Sequence, residues 1–418
     1  MFGIDRISRR ALLGAAAAIG LLWAAPGAAD AATVKLGVLA PLTGPASGDG
    51  EDYVHGVTMA VEEANAKGGI AGSKFEVMAV DVKDGSATAV TSAVERLLAD
   101  KDVQVILTGY ASISNFEINL MADADMPFLI AGPSGQTRAI IAPDPAKYWC
   151  CWSYTASFDG YETEVTPFIE GLARAGKIKL ADKKKVAIVS SDNAYSKTIS
   201  EGMKKVFAKA GWTITVDELV PFGEVTDWRV ILAKVRQDPP DVVINTDYLP
   251  GNSATFMNQF MEAPTNSLVF LQYAPSVPEF VKLAGNNATG VLYNLLGGPI
   301  RSPNYPLAGE RLAQYKARWG AEGGPYGVML YEMAWHYFKA LEQVKDPNKH
   351  EAIGKAIGAM TLDSAQGKMA FDQKTHLAVQ DDAHVPLQFY QLWNGDRVLL
   401  SPAQYATGEF RLPPWMKN

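Results

Sequence analysis

A chain of 418 residues, 48% hydrophobic and 20% charged with a formal net charge of −7, is long enough for two hydrophobic cores and too apolar to be disordered. Its acidity, without a lysine and arginine cluster to track phosphates, excludes a nucleic-acid binder; Lys183-Lys184-Lys185 reads as a solvated turn before a strand. Two cysteines are too few for a disulfide framework or, with five scattered histidines, for a zinc site.

The N-terminus carries Arg6, Arg9 and Arg10, then an apolar run from Ala11 to Trp23, a Pro26-Gly27 break and the small triplet Ala29-Asp30-Ala31. This is the pattern of a secretory signal, expected to be cleaved after Ala31, and Ser8-Arg9-Arg10-Ala11-Leu12-Leu13 is similar to a twin-arginine export signal. Thirteen apolar residues at about 1.5 Å each fall short of a hydrocarbon core of about 30 Å, which argues against a membrane anchor. Once this signal is removed, the exported chain carries 35 basic and 43 acidic side chains.

After the signal, Val34–Leu39 predicts a buried strand, Pro41–Gly50 a loop, and Tyr53–Lys67 a helix stopped by Gly68-Gly69. Strand Phe75–Val80, helix Ala87–Ala99, strand Val103–Leu107, helix Ser114–Ala124 and strand Pro127–Ala131 follow. The alternation predicts a parallel sheet with helices on both faces. Cys150 and Cys151 are chain neighbours, α-carbons about 3.8 Å apart, and cannot staple distant segments. They read as two reduced, half-buried thiols, with a strained vicinal disulfide as the alternative in an oxidising compartment.

The plan then restarts. Strand Lys185–Ser190, a loop from Asp192 to Tyr195, helix Ile199–Ala210, strand Thr213–Val220, helix Trp228–Gln237, strand Asp241–Asn245, helix Ala254–Glu262 and strand Leu268–Leu271 repeat the first half. Two copies of one α/β plan predict two similar lobes. Gly297-Gly298-Pro299 reads as a hinge crossing, Ala308–Trp319, Val328–Leu341 and Glu351–Ala359 as helices, and Val385–Trp393 as a strand. The expected division is 32–155 plus 298–385 for one lobe and 156–297 plus 386–418 for the other.

Catalytic signatures are missing from this pattern. Gly132-Pro133-Ser134-Gly135 lacks the spacing of a nucleophile elbow, Gly48-Asp49-Gly50 lacks the third glycine of a dinucleotide turn, and no HExxH occurs. The chain is therefore read as a binder without metal or cofactor rather than an enzyme. An exported hydrolase using Ser112 or Ser134 is the remote alternative, and it requires a histidine and a carboxylate beside either serine. Open α/β sheets bind ligands at the carboxyl ends of their strands. There this sequence places polar and aromatic loops: Thr43–Asp49, Gly109–Asn115, Gly132–Thr137, Ser191–Tyr195, Thr246–Tyr248 and Gln272–Ala274. Two of them lead into helix starts that could hold an anion, although ordinary capping by Ser or Asp explains the same residues.

Two segments carry a family resemblance: Gly37-Val38-Leu39-Ala40-Pro41-Leu42-Thr43-Gly44-Pro45 and Ala64-Asn65-Ala66-Lys67-Gly68-Gly69-Ile70-Ala71-Gly72. They resemble the leucine/isoleucine/valine-binding type of periplasmic solute receptor, which serves ABC importers of branched-chain amino acids and related solutes. The resemblance implies two Rossmann-like lobes joined by three crossings, a periplasmic location, a small-molecule ligand, permease subunits as partners, and a monomer. A sensor of the same fold is the alternative role. It also implies a ligand carboxylate held by Ser112 and by Ser134-Gly135, with Tyr195 and Tyr248 closing over the ligand. Where amino-acid-binding members place a glutamate for the ammonium, this chain reads Leu271-Gln272-Tyr273-Ala274. Asp49 and Asp247 are the substitute partners for that charge. Alternatively Gln272, Tyr273, Tyr248 and Trp152 suit an amide, a urea or an aromatic acid. The family's cysteine-bridged loop is absent as well, since Ala111 precedes Ser112.

Overall fold

A strand buried on both faces shows a near-continuous apolar run instead of alternation, and Ala32–Ala40 (β1) follows that rule: Val34, Leu36, Val38, Leu39 and Ala40 are buried. The computed structural model describes residues 32–112, 114–132 and 134–417; the expected export signal lies outside them. Around β1 stand β2 (Ser73–Asp81), β3 (Val103–Thr108), β4 (Phe128–Ile130) and β5 (Cys151–Ser153), in the order β2-β1-β3-β4-β5, all parallel.

The second sheet repeats the order. Here β6 (Lys185–Ser191), β7 (Thr213–Val220), β8 (Val242–Asn245), β9 (Leu268–Leu271) and β10 (Leu292–Leu295) run parallel as β7-β6-β8-β9-β10. Separated in the chain by the short hairpin β11 (Leu362–Ser364) and β12 (Gly367–Met369), β13 (Gln388–Trp393) and β14 (Asp396–Ser401) extend this sheet antiparallel beyond β10. Each sheet has an apolar cluster on either face. The protein is thus an α/β molecule of two lobes, each a parallel-dominated sheet between helices.

The returning helices pack on the first sheet. Met329, Leu330, Met333, Ala334, Tyr337, Phe338 and Leu341 of helix Pro325–Val344 share one core with Tyr53, Val57, Ala60 and Ala64 of helix Ser47–Ala66. The two helices meet backbone to backbone: a Cβ on Gly56 would stand 2.0 Å from the Gly327 carbonyl oxygen. Among the described residues, no helix is long and apolar enough to cross a membrane.

Several elements depart from the sequence reading. The first helix starts at Ser47, not Tyr53, because its glycines serve packing and not a turn: a Cβ on Gly50 would lie 2.2 Å from the Pro41 carbonyl oxygen. Ser134–Ile141 is helical where a loop was expected, and the helix expected from Ser114 spans Glu117–Asp123. Both thiols are fully buried rather than half-buried, unpaired, with sulfurs 3.1 Å apart beneath helix Glu117–Asp123.

Candidate functional site: an aromatic cavity between the lobes

The carboxyl ends of both sheets face one another, as the topology requires. From the first lobe come Tyr110 and Ser112 after β3, Gly132 after β4 and Thr155 after β5; from the second come Tyr248 after β8, Tyr273 after β9, and Leu295, Leu296 and Gly297 at the end of β10. Phe158 and Tyr161, on and beside the first crossing, Tyr195 at the start of helix Ala194–Lys209, and Pro325, Tyr326 and Met329 complete the wall. Together they line a cavity of about 80 Å³, several times what one water needs.

Local packing fixes the rings. Gly109 lies so close to the Tyr53 ring that a Cβ there would stand 2.2 Å away, and the Tyr53 hydroxyl accepts the Tyr110 N–H at 3.2 Å. Ser134 Oγ accepts the N–H of Phe158 at 2.7 Å, and Tyr161 OH accepts the N–H of Leu296 at 2.8 Å, tying two crossings together. Edge-on contacts link Tyr110 to Tyr248 across the lobes, Tyr195 to Phe158 and Tyr195 to Tyr248, each worth about 0.5–1.5 kcal/mol.

Among the described residues the lining carries no charged side chain; the acids stand one layer back. Asp49 accepts from Tyr110 OH at 2.8 Å and from Tyr273 OH at 3.0 Å. Burial pushes its carboxyl up to about 7, the nearby Asp52 and Glu279 adding to the rise, while the two phenols oppose it. Glu117, completely buried, accepts Ser112 Oγ–H at 2.5 Å and the Ser112 N–H at 3.2 Å; burial raises its pKa too.

On the second lobe, Gln272 and Asn294 are both wholly buried, and neither side-chain amide has a hydrogen-bond partner on its N or O atom. Two residues beyond the Leu292–Phe270 pair of β10 and β9, they occupy one level on adjacent strands. The Tyr195 hydroxyl is likewise without a hydrogen bond of good geometry, although the Gln272 amide lies close enough to favour its ionised form against the larger opposing effect of burial.

Of the residues singled out from sequence, Ser112, Tyr195, Tyr248 and Tyr273 line the cavity, with Asp49 and Gln272 directly behind it. The remaining four lie elsewhere. Trp152 is core, stacked on His376 and held by its indole N–H to the Trp149 carbonyl. Asp247 closes the turn into helix Pro250–Met261 by accepting from the Leu249 N–H and from Asn252. Ser134 uses its oxygen on the crossing, and Gly135 is not among the lining residues of the cavity. At the helix after Asp192, Asn193 Oδ1 takes the Ser196 N–H at 2.9 Å, which is the capping alternative. The catalytic arrangement required of a hydrolase is not assembled among the described residues: the five histidines bond to groups other than Ser112 and Ser134. Sequence reasoning missed Tyr110, Thr155, Phe158, Tyr161 and Tyr326. Tyr110 carried a usable signal, since it follows a strand end just as Tyr248 and Tyr273 do.

Comparison with known proteins agrees with this architecture. The sequence model of the family described as periplasmic binding protein matches residues 33–394. The Leu/Ile/Val-binding protein homolog 8 of Brucella suis biovar 1 (strain 1330) is 27% identical over 413 residues, covering 96% of this chain and 98% of the relative. Homolog 7 of Brucella abortus (strain 2308) is 24% identical over 399 residues, with 93% and 96% covered. Among solved structures, a protein assigned as a branched-chain amino acid ABC transporter from Silicibacter pomeroyi is 28% identical with a TM-score of 0.80, covering 92% of this chain and all of that one. The branched-chain amino acid substrate-binding protein LivJ of Streptococcus pneumoniae, solved with isoleucine, shares the fold at a TM-score of 0.72 and 17% identity, with 88% of this chain and all of that one covered.

Proposed function

The chain belongs to the periplasmic binding protein family, of the Leu/Ile/Val-binding type, and from that premise we propose that it is the monomeric, extracytoplasmic solute-binding component of an ABC importer. It captures one small molecule in the cavity between its lobes and presents the closed form to permease subunits. The carrying observation is the cavity: strand ends of both sheets contribute to one aromatic wall. We assign residues 32–155 and 298–385 to one lobe and 156–297 and 386–418 to the other, with the three crossings as the hinge. Ser112, Tyr195, Tyr248 and Tyr273 touch the ligand; Asp49 and Gln272 position the wall.

A thermal-shift screen of the exported chain against amino acids, amides and aromatic acids tests this. A bound ligand raises stability by RT ln(1 + [L]/Kd), about 2.7 kcal/mol at a hundredfold excess over Kd. Substitution of Tyr248 by Ala should abolish the ligand-induced shift while the unliganded protein keeps its cooperative melt. A ligand whose shift survives in Tyr248→Ala binds elsewhere.

A further inference from the structure

We infer that Gln366 and Gln388 are positioning residues of the cavity: from opposite lobes they grip the peptide groups of Gly298 in the second crossing, and so set the angle at which the lobes close. The inference rests on the binding reading and the lobe division above. Gly298 follows Gly297 of the cavity wall and is itself buried, at φ +82°, a conformation that favours glycine. Among the described residues neither of its peptide groups has a backbone partner. Gln366 Oε1 accepts the Gly298 N–H at 3.1 Å, and Gln388 Nε2 donates to the Gly298 carbonyl at 3.2 Å.

Each glutamine is anchored on its own lobe. Gln366 stands at the turn of hairpin β11–β12, and its Nε2 donates to the Tyr154 carbonyl at 3.0 Å, beside Thr155 of the wall. Gln388 opens β13 of the second sheet, and its Oε1 accepts from the Tyr390 hydroxyl. A side-chain amide is uncharged and both donates and accepts, which is what each of these positions requires. Both side chains are buried, 2% and 0% exposed. Close packing keeps such side chains in one rotamer, so they present donor and acceptor at fixed points and cannot follow a rotating peptide. Opening turns one grip against the other. Whichever yields leaves a buried donor and a buried acceptor unpaired, a cost that falls on the open form.

Methionine keeps the length of glutamine without its hydrogen bonds, so Gln366→Met and Gln388→Met test the grip. L-Leucine, L-phenylalanine, benzamide and 4-hydroxybenzoate are titrated calorimetrically into the exported chain. A compound that binds the wild type, from these or from the screen above, should bind each variant about tenfold more weakly, the loss of one to two net hydrogen bonds. Because both residues act through one peptide, the double variant should also bind about tenfold more weakly, not the about hundredfold to which independent losses multiply. Unchanged affinity in either single variant, or multiplied losses in the double, overturns the inference. Exchange of the Gly298 amide hydrogen, followed by NMR with nitrogen-labelled glycine, reads the grip without a ligand. Gln366→Met should speed it, and an unchanged rate overturns the inference. In the wild type, which serves if the variants do not fold, a bound compound should slow this exchange; binding that leaves the rate unmoved overturns the inference as well. If no compound shifts the wild-type melt, the binding reading itself fails, while exchange in Gln366→Met still judges the grip.

Discussion

Asp49 sits between two phenols that belong to different lobes: Tyr110 follows β3 and Tyr273 follows β9. Its enclosure holds the carboxyl near 7 against an ordinary 3.8. When the lobes part and water reaches it, the ordinary value returns, so closing takes up a proton at any pH between the two. The sign follows from linkage: each unit of rising pH inside that window weakens closure by up to tenfold, about 1.4 kcal/mol, and the dependence ends above about 7. Ligand affinity measured from pH 5 to 8 should therefore fall and then level. Asp49→Asn, which cannot ionise, should flatten the profile. Asp52, also raised by burial, to about 6, is held by the Gly327 N–H within the helix pair on the first sheet. It stays enclosed on opening and should leave the slope untouched. A profile as steep in Asp49→Asn as in the wild type would place the titrating group elsewhere.

At the scale of elements, the packing of helix Ser47–Ala66 on helix Pro325–Val344 depends on missing side chains. A methyl group on Gly56 meets the Gly327 carbonyl oxygen at 2.0 Å, and backbone cannot swing aside as a side chain does. Gly56→Ala should cost about 1–3 kcal/mol of overpacking, read as a lower urea midpoint with unchanged slope. Here the sequence was legible in part. Strands β1, β3, β6 and β9 are predominantly apolar runs, with single polar residues such as Lys35 and Gln104, and were found within a residue or two. Strand β5 has three residues, too short for any period, and was missed, whereas the equally short β4 was found inside the expected strand Pro127–Ala131. Helix Ser134–Ile141 hides behind Gly132-Pro133, and the glycines at 48 and 50 imitate a loop because glycine's signature for close approach is the same as for a turn. The cavity was half legible for a related reason. Residues after strand ends can be located once the strands are, whereas Phe158, Tyr161 and Tyr326 sit on a crossing or at a distant helix start. Nothing local marks them as part of one wall, and Trp152, an aromatic at a strand end, belongs to the core instead.

For the molecule as a whole, closure must offset the cost of ordering two lobes around a ligand, and the surface available for that is the ring-lined cavity. Burying aromatic faces on both sides of a ligand makes the heat-capacity change of binding negative, so titrations at several temperatures should show binding enthalpy becoming more favourable as temperature rises. A temperature-independent enthalpy would mean that the rings are already covered before the ligand arrives. Tyr273 adds a specific term. Its backbone sits at φ +66° and ψ −54°, a conformation costing a non-glycine residue about 1–3 kcal/mol, and it is held there with its hydroxyl on Asp49 across the interface. Strain of this kind survives where the surroundings over-determine it, and in the closed form the cross-lobe bond is one of those determinants. Removing the hydroxyl in Tyr273→Phe keeps the ring in the wall and deletes only the bond, with an expected loss of about 0.5–1.5 kcal/mol. Because the bond spans lobes that are already docked, that loss should appear as about twofold to thirteenfold faster ligand release with an unchanged on-rate, measurable by stopped-flow displacement. If release stays at the wild-type rate, Asp49 and Tyr273 are neighbours in the closed form without holding it shut.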